Sequence, residues 1–168
     1  GESDAWSDLV RLLETLANTV KEDGTKIELL VRAARIWREQ LDDVARAERD
    51  LDRVLQIDER NEFAALQLEP IYEEAEEWEQ LVHVCEIILE YRKDLEERRA
   101  YQLKLARLHE EKLDSVTGAF SWFARAYSED PSHDGLVLEL ERTAQLSDTW
   151  EALVDVYRNG LATSQEQG

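Results

Sequence analysis

The chain has 168 residues, 43% apolar and 35% charged, with 39 acidic against 20 basic side chains and a formal net charge of −19. That composition fits a helix-rich globular chain, and the charge works against nucleic acid and anionic membranes, because phosphate binding needs Lys and Arg to replace counterions. A single cysteine, Cys85, excludes an intramolecular disulfide and a cysteine-rich zinc site, and no apolar run approaches the length of a membrane span.

Apolar residues spaced i, i+3, i+4 and i+7 predict nine amphipathic helices, over 4–19, 26–41, 44–57, 61–75, 78–92, 97–113, 116–129, 133–146 and 149–162. Between them stand Asp23-Gly24-Thr25, Leu41-Asp42-Asp43, Asp58 to Asn61, Asp130-Pro131-Ser132 and Ser147-Asp148-Thr149. Asp, Ser, Thr and Asn supply N-caps at such places, and Pro131 cannot continue the helix before it. Pro70 falls inside a predicted helix, whose axis it is expected to bend.

The helices repeat. Trp-x-x-Leu-Val occurs at Trp6/Leu9/Val10, Trp78/Leu81/Val82 and Trp150/Leu153/Val154, an interval of 72 residues each time. At the same interval Ala34-Arg35 meets Ala106-Arg107, Leu41-Asp42 meets Leu113-Asp114, Ala47 meets Ala119, Asp58 meets Asp130, and Leu66-x-Leu68-Glu69 meets Leu138-x-Leu140-Glu141. The matches fall at small or apolar positions and at turns, where a shared backbone demands them. Short loops make antiparallel hairpins of successive helices. Equivalent apolar positions in these hairpins, Leu51, Cys85, Phe123 and Tyr157, are 34, 38 and 34 residues apart.

A 34-residue helix-turn-helix unit is the period of the tetratricopeptide repeat, or TPR. Ala34-Arg-Ile-Trp37 with Ala47, Leu51, Val54 and Asp58 resembles a TPR core, as does Leu105-Ala106-x-x-His109 with Ala119, Phe123, Ala126 and Asp130-Pro131. The likeness spans about Trp6 to Leu161 and is degenerate. An extra residue precedes Asp42 and Asp114, a few more lie near Lys93 to Glu97, and Leu81 and Leu153 replace a small residue. The resemblance implies an all-α, right-handed α-solenoid in one domain, 1–168, made of a half-hairpin at 4–20 and hairpins at about 26–59, 60–93, 97–131 and 132–162. A methionine-free chain that opens mid-repeat and ends in the polar stretch Ala162 to Gly168 is expected to be part of a longer protein. With no signal pattern, the compartment stays open, the cytoplasm being favoured.

No catalytic or metal-binding pattern is found. His83, His109 and His133 are far apart, adjacent carboxylates such as Glu73-Glu74 and Glu110-Glu111 fit solvated helix faces, Asp42-Asp43 lacks the layout of an EF-hand, and Cys85 holds a core position. No enzyme activity and no cofactor are expected. Trp6, Trp78 and Trp150 are expected to pack between helices, and Trp37 to sit in the core. Trp122 is expected to be partly exposed and the tryptophan to meet a partner, if any does.

In the TPR family the first helix of each hairpin lines a concave face. The matching positions here include Arg32, Arg35 and Arg38, then Phe63 and Leu66, then Lys104 and Arg107, then Arg142. Two readings stand: the basic groups receive an acidic peptide over Phe63 and Leu66, or they pair with Glu on neighbouring helices such as Glu69 or Glu73. The chaperone-tail carboxylate clamp of some TPR proteins is not supported, since of Val31, Arg35, Gln67, Ala100 and Lys104 only Lys104 matches it. The expected function is a non-enzymatic scaffold for a protein or peptide. An architectural spacer that self-associates through its end helices is the alternative, and a helical appendage to an enzyme elsewhere in a longer chain is a third.

Overall fold

In a computed structural model that describes residues 1–166, all regular structure among the described residues is helical. Nine α-helices follow in order: α1 Glu2–Thr19, α2 Asp23–Glu39, α3 Val44–Ile57, α4 Glu62–Glu74, α5 Trp78–Tyr91, α6 Leu95–Arg107, α7 Val116–Glu129, α8 Leu136–Ser147 and α9 Trp150–Glu166. They form two compact units, Gly1–Glu77 with α1–α4 and Trp78–Gly168 with α5–α9. No described helix is long and apolar enough to cross a membrane.

The 72-residue interval is written into the backbone as well as the side chains. Among the described residues four non-glycines have positive φ: Asp42 (50°), Glu76 (57°), Asp114 (51°) and Asp148 (55°). They form two pairs at that interval, Asp42 with Asp114 and Glu76 with Asp148. Left-handed backbone costs an L residue about 1–2 kcal/mol, so a repeated occurrence marks a repeated turn. The turn's hydrogen bonds repeat too. Leu41 N–H donates to Ile36 O at 3.1 Å and Asp43 N–H to Trp37 O at 2.7 Å, and Leu113 to Leu108 and Ser115 to His109 reproduce both distances. Glu77 N–H to Tyr72 O (2.9 Å) is matched by Thr149 N–H to Ala144 O (3.0 Å), each bond closing a Schellman-type helix end. The chain is an all-α helical repeat.

The turn after α2 and α6 also explains the extra residue before Asp42 and Asp114. A bond reaching five residues back widens the last turn and absorbs it. In the second unit the widening extends to a five-residue π-helical stretch, Leu108–Lys112, that continues α6. Side-chain caps start the helices that follow: Asp43 accepts from Arg46 N–H, Asn61 from Ala64, Ser115 from Gly118, and Asp94 from Glu96 and Glu97.

Several boundaries differ from expectation. Asp23-Gly24-Thr25 is the first turn of α2 and not a loop, because the Glu22 carboxylate caps it by accepting from Thr25 N–H at 2.9 Å. The Asp94 cap likewise starts α6 at Leu95, ahead of the predicted residue 97. Residues 133–135 lie outside α8, since Gly135 has φ of 93°, which no right-handed helix accepts. Ala162 to Glu166 prolong α9; Gln167 and Gly168, the rest of the polar stretch, lie outside the described residues. Pro70 lies inside α4 on its exposed side.

Each unit carries its own core. In the first, α2 packs against α1 and α3, and α3 against α4; in the second, α7 packs against α6, α8 and α9, and α5 against α6. Alanines at the crossings (Ala34, Ala47 and Ala64 in one unit, Ala106, Ala119 and Ala144 in the other) are at most 2% exposed and let the helix axes approach. Volume is exchanged between equivalent positions: Leu51 becomes Phe123, while Val54 becomes Ala126 and Tyr72 becomes Ala144. Trp37 and Cys85 are buried as expected.

Trp122 is not partly exposed: it is buried at 6%, beside Phe123 at 3%. A helix with neighbours on both flanks buries a broad stripe, here Ala119, Phe120, Trp122, Phe123 and Ala126, so two adjacent residues both face inward. The guanidinium of Arg125 lies 4.2 Å from the Trp122 ring centroid and covers what is left of it.

Candidate functional site: two equivalent hollows

The helix faces expected to receive a partner contain a hollow in each unit. In the first, Val31, Ala34, Arg35, Arg38 and Glu39 of α2, Leu51 of α3, and Phe63 and Gln67 of α4 enclose about 320 Å³. In the second, Leu103 and Arg107 of α6, Glu110 and Glu111 of the π-helical stretch, Phe123 of α7, and Leu136, Glu139 and Arg142 of α8, with His133 to Gly135, enclose about 520 Å³. At the 72-residue interval Val31 becomes Leu103, Arg35 becomes Arg107, Arg38 becomes Glu110, Leu51 becomes Phe123, Phe63 becomes Gly135 and Gln67 becomes Glu139. They are the same hollow, built twice from one backbone and lined differently.

Of the eight residues expected at a binding face, the structure brings Arg35, Arg38 and Phe63 together in the first hollow and Arg107 and Arg142 in the second. Arg32 and Leu66 are exposed on the same helices but line neither of these two hollows, and Lys104 is half-buried and engaged by the protein. Phe63 is 43% exposed, a large share for an aromatic ring at the mouth of a cavity.

The arginines divide into two kinds. Arg142 is held by carboxylates: its Nη2 donates to Glu110 Oε2 at 2.8 Å and to Glu139 Oε2 at 2.6 Å. The hydrogen bond from Arg142 holds the Glu110 carboxyl below the usual range, and the bonds to Glu110 and then Glu139 push the guanidinium up. Its partners are therefore other glutamates than the Glu69 and Glu73 considered from sequence. Arg38 donates from Nη1 to the neutral Gln67 Oε1 at 2.7 Å, which orients the guanidinium without cancelling its charge. Arg35 and Arg107 are exposed and make no ion pair or hydrogen bond among the described residues.

A third cavity, about 350 Å³, lies beside Trp6 and Leu9 of α1, with Gln40 on its wall. Trp78, the equivalent of Trp6, carries the Lys112 ammonium 4.6 Å from its ring centroid, and Gln40 stands where Lys112 does. Trp6 and Trp78 are half-buried, whereas Trp150 is 48% exposed.

Sequence reasoning missed a buried acid in the first unit. Asp50 of α3 is 0% exposed, and neither of its oxygens has a hydrogen bond. Around it are Glu14 of α1, which accepts from Trp37 Nε1 at 3.0 Å and from Arg49 Nη2 at 3.3 Å, and Arg53, whose Nη1 is 3.7 Å from Asp50 Oδ1. Burial, then repulsion from Glu14, pushes the Asp50 carboxyl up to about 7 against the pull of Arg49 and Arg53. Two ionised carboxylates have no proton to share, so a proton on Asp50 supplies the donor that the pair lacks. At the 72-residue interval Asp50 meets Trp122 and Arg53 meets Arg125, but no sequence signal marks burial there, since Trp122 is expected at the surface and only the structure buries it.

No protein-family model matches the chain, and no curated protein matches it. Among solved structures it is similar to a chain described as "MamA RS-1 ArsTM double mutant", with 14% identity and a TM-score of 0.46, over 96% of this chain and 86% of that one.

Proposed function

We propose that the chain is a non-enzymatic scaffold that binds a peptide or protein partner on the faces carrying the two hollows, the concave side of its hairpins. Arg32, Arg35, Arg38, Phe63 and Leu66 make the contacts in the first unit, and Lys104, Arg107 and Arg142 in the second. Arg142 joins only by exchanging Glu110 or Glu139 for the partner. The observation that supports this most is Arg35 with Arg107: the same charged residue, at equivalent positions of two equivalent hollows, with no hydrogen-bond or ion-pair partner among the described residues. A guanidinium aimed at a cavity is suited to bidentate capture of a carboxylate. The test is capture from a lysate of the source cells by wild type beside an Arg32→Glu/Arg35→Glu/Arg107→Glu variant of equal helicity by circular dichroism. A partner retained by wild type and lost by the variant supports the reading; equal recovery by both refutes it.

A second reading, an architectural spacer or self-assembling segment, has its own support. Trp150, Val154 and Leu161 form a helical stripe on α9 that is 48%, 51% and 65% exposed, whereas their equivalents Val82 and Leu89 are 8% and 3% exposed. Sedimentation showing association abolished by Val154→Glu/Leu161→Glu, with both hollows inert, favours it.

A further inference from the structure

The lining of the two hollows differs in sign. Two arginines face one glutamate in the first, whereas in the second Arg107 and Arg142 face four carboxylates: Glu110, Glu111, Asp134 and Glu139. The inversion comes from two positions, where Arg38 is replaced by Glu110 and Gln67 by Glu139. A third replacement, Phe63 by Gly135, removes the exposed ring.

We propose that the first hollow alone takes the carboxylate of an acidic side chain flanked by an aliphatic one, in a peptide segment, and that the second hollow lacks this selectivity. This rests on the scaffold reading above and names the partner's chemistry at one of its two sites. The Arg35 guanidinium is uncommitted, and that of Arg38 is turned into the cavity by a neutral acceptor, so its remaining N–H groups are available. Together they present a local positive charge on a chain of net charge −19. Phe63 adds apolar surface for the neighbouring aliphatic side chain. In the second hollow the carboxylates that hold Arg142 fill the role of such a ligand.

Fluorescence anisotropy of the whole chain with short labelled peptides tests this, using alternating Leu and Glu, alternating Leu and Gln, and alternating Ser and Glu. The Leu-Glu peptide is expected to bind roughly ten-fold more tightly than either other, the worth of about one charge-assisted hydrogen bond or one buried aliphatic group. Arg35→Glu, Arg38→Gln and Phe63→Gly each weaken it, while Arg107→Glu leaves it within about two-fold. The double variant Glu110→Arg/Glu139→Gln gives the second hollow the charges of the first but not the Phe63 ring, and so adds a second peptide site weaker than the first. Since these side chains are exposed or half-buried, the fold is retained, which circular dichroism checks. Equal binding of the Leu-Gln peptide, insensitivity to Arg35→Glu and Arg38→Gln, or equal loss with Arg107→Glu overturns the assignment to the first hollow while leaving a scaffold that reads other features. Binding of none of the peptides also overturns it, and the lysate capture then judges the scaffold reading by itself.

Discussion

Replacing Asp50 by Asn isolates what a buried acid costs this fold. The Asp50 carboxyl titrates at about 7 in the folded chain against 3.8 for an unperturbed group. At 1.36 kcal/mol per unit, the whole shift represents roughly 4 kcal/mol of differential stability between the protonated and ionised forms. The sign follows from proton binding. A carboxyl whose folded pKa is raised stabilises the fold fully below the unfolded value, and that contribution is lost as pH rises through the folded value. Between pH 5 and pH 8 about 3 kcal/mol should go, since part of the shift lies below that window. Urea denaturation followed by circular dichroism across that range is the assay. Wild type should lose stability towards pH 8, whereas Asp50→Asn, neutral throughout and able to donate to Glu14, should stay level and exceed wild type at the alkaline end. A flat wild-type profile, or the same slope in the variant, refutes the assignment of the cost to Asp50.

Gly118→Ala should destabilise the second unit by about 1–3 kcal/mol in urea, because its Cβ would lie 2.5 Å from His109 Nδ1 and the ring must move. Asp42→Val and Asp114→Val should each lose about 1–2 kcal/mol, as a β-branched residue resists left-handed backbone, while Gly at either position is tolerated; a large difference between the two sites breaks the equivalence of the turns. The hydrogen bond from Arg98 holds the Glu129 carboxyl below its usual range. Its stabilisation is therefore present above the unfolded carboxylate value and lost as pH falls through the depressed one. Arg98→Gln should accordingly lower stability at neutral pH by up to about 1 kcal/mol, a small cost because the pair is partly exposed, and the difference from wild type should shrink as pH falls through the depressed value.

The hollows show how far residue patterns reach into a site. The TPR resemblance, with helical spacing, put Arg35, Arg38, Phe63, Arg107 and Arg142 on one concave face, because a helix fixes which of its residues share a side. It did not separate the uncommitted Arg35 from the engaged Arg142, since Glu110 lies 32 residues from Arg142 and reaches it only because α7 packs against both the π-helical stretch and α8. Nor did it place Trp122. Its neighbour Phe123 had been assigned the inward direction, and one apolar period predicts one stripe, whereas α7 is flanked on both sides.

The sequence by itself determined the helices and the 72-residue repeat, because local periodicity, caps and turn residues act over a few positions and recur in the chain. The turns at Asp42 and Asp114 were marked by the repeated Leu-Asp pair and its extra residue, although neither their left-handed backbone nor the wide hydrogen bond that absorbs that residue was. Tertiary packing alone decided which polar groups are buried and which charges are already spent. Asp50 sits in a helical pattern like any surface acid, and only the approach of α1 and α2 removes its water. The first hollow owes its arginines without a carboxylate partner to the same cause: a charge is available to a partner when no neighbouring helix brings a carboxylate to meet it.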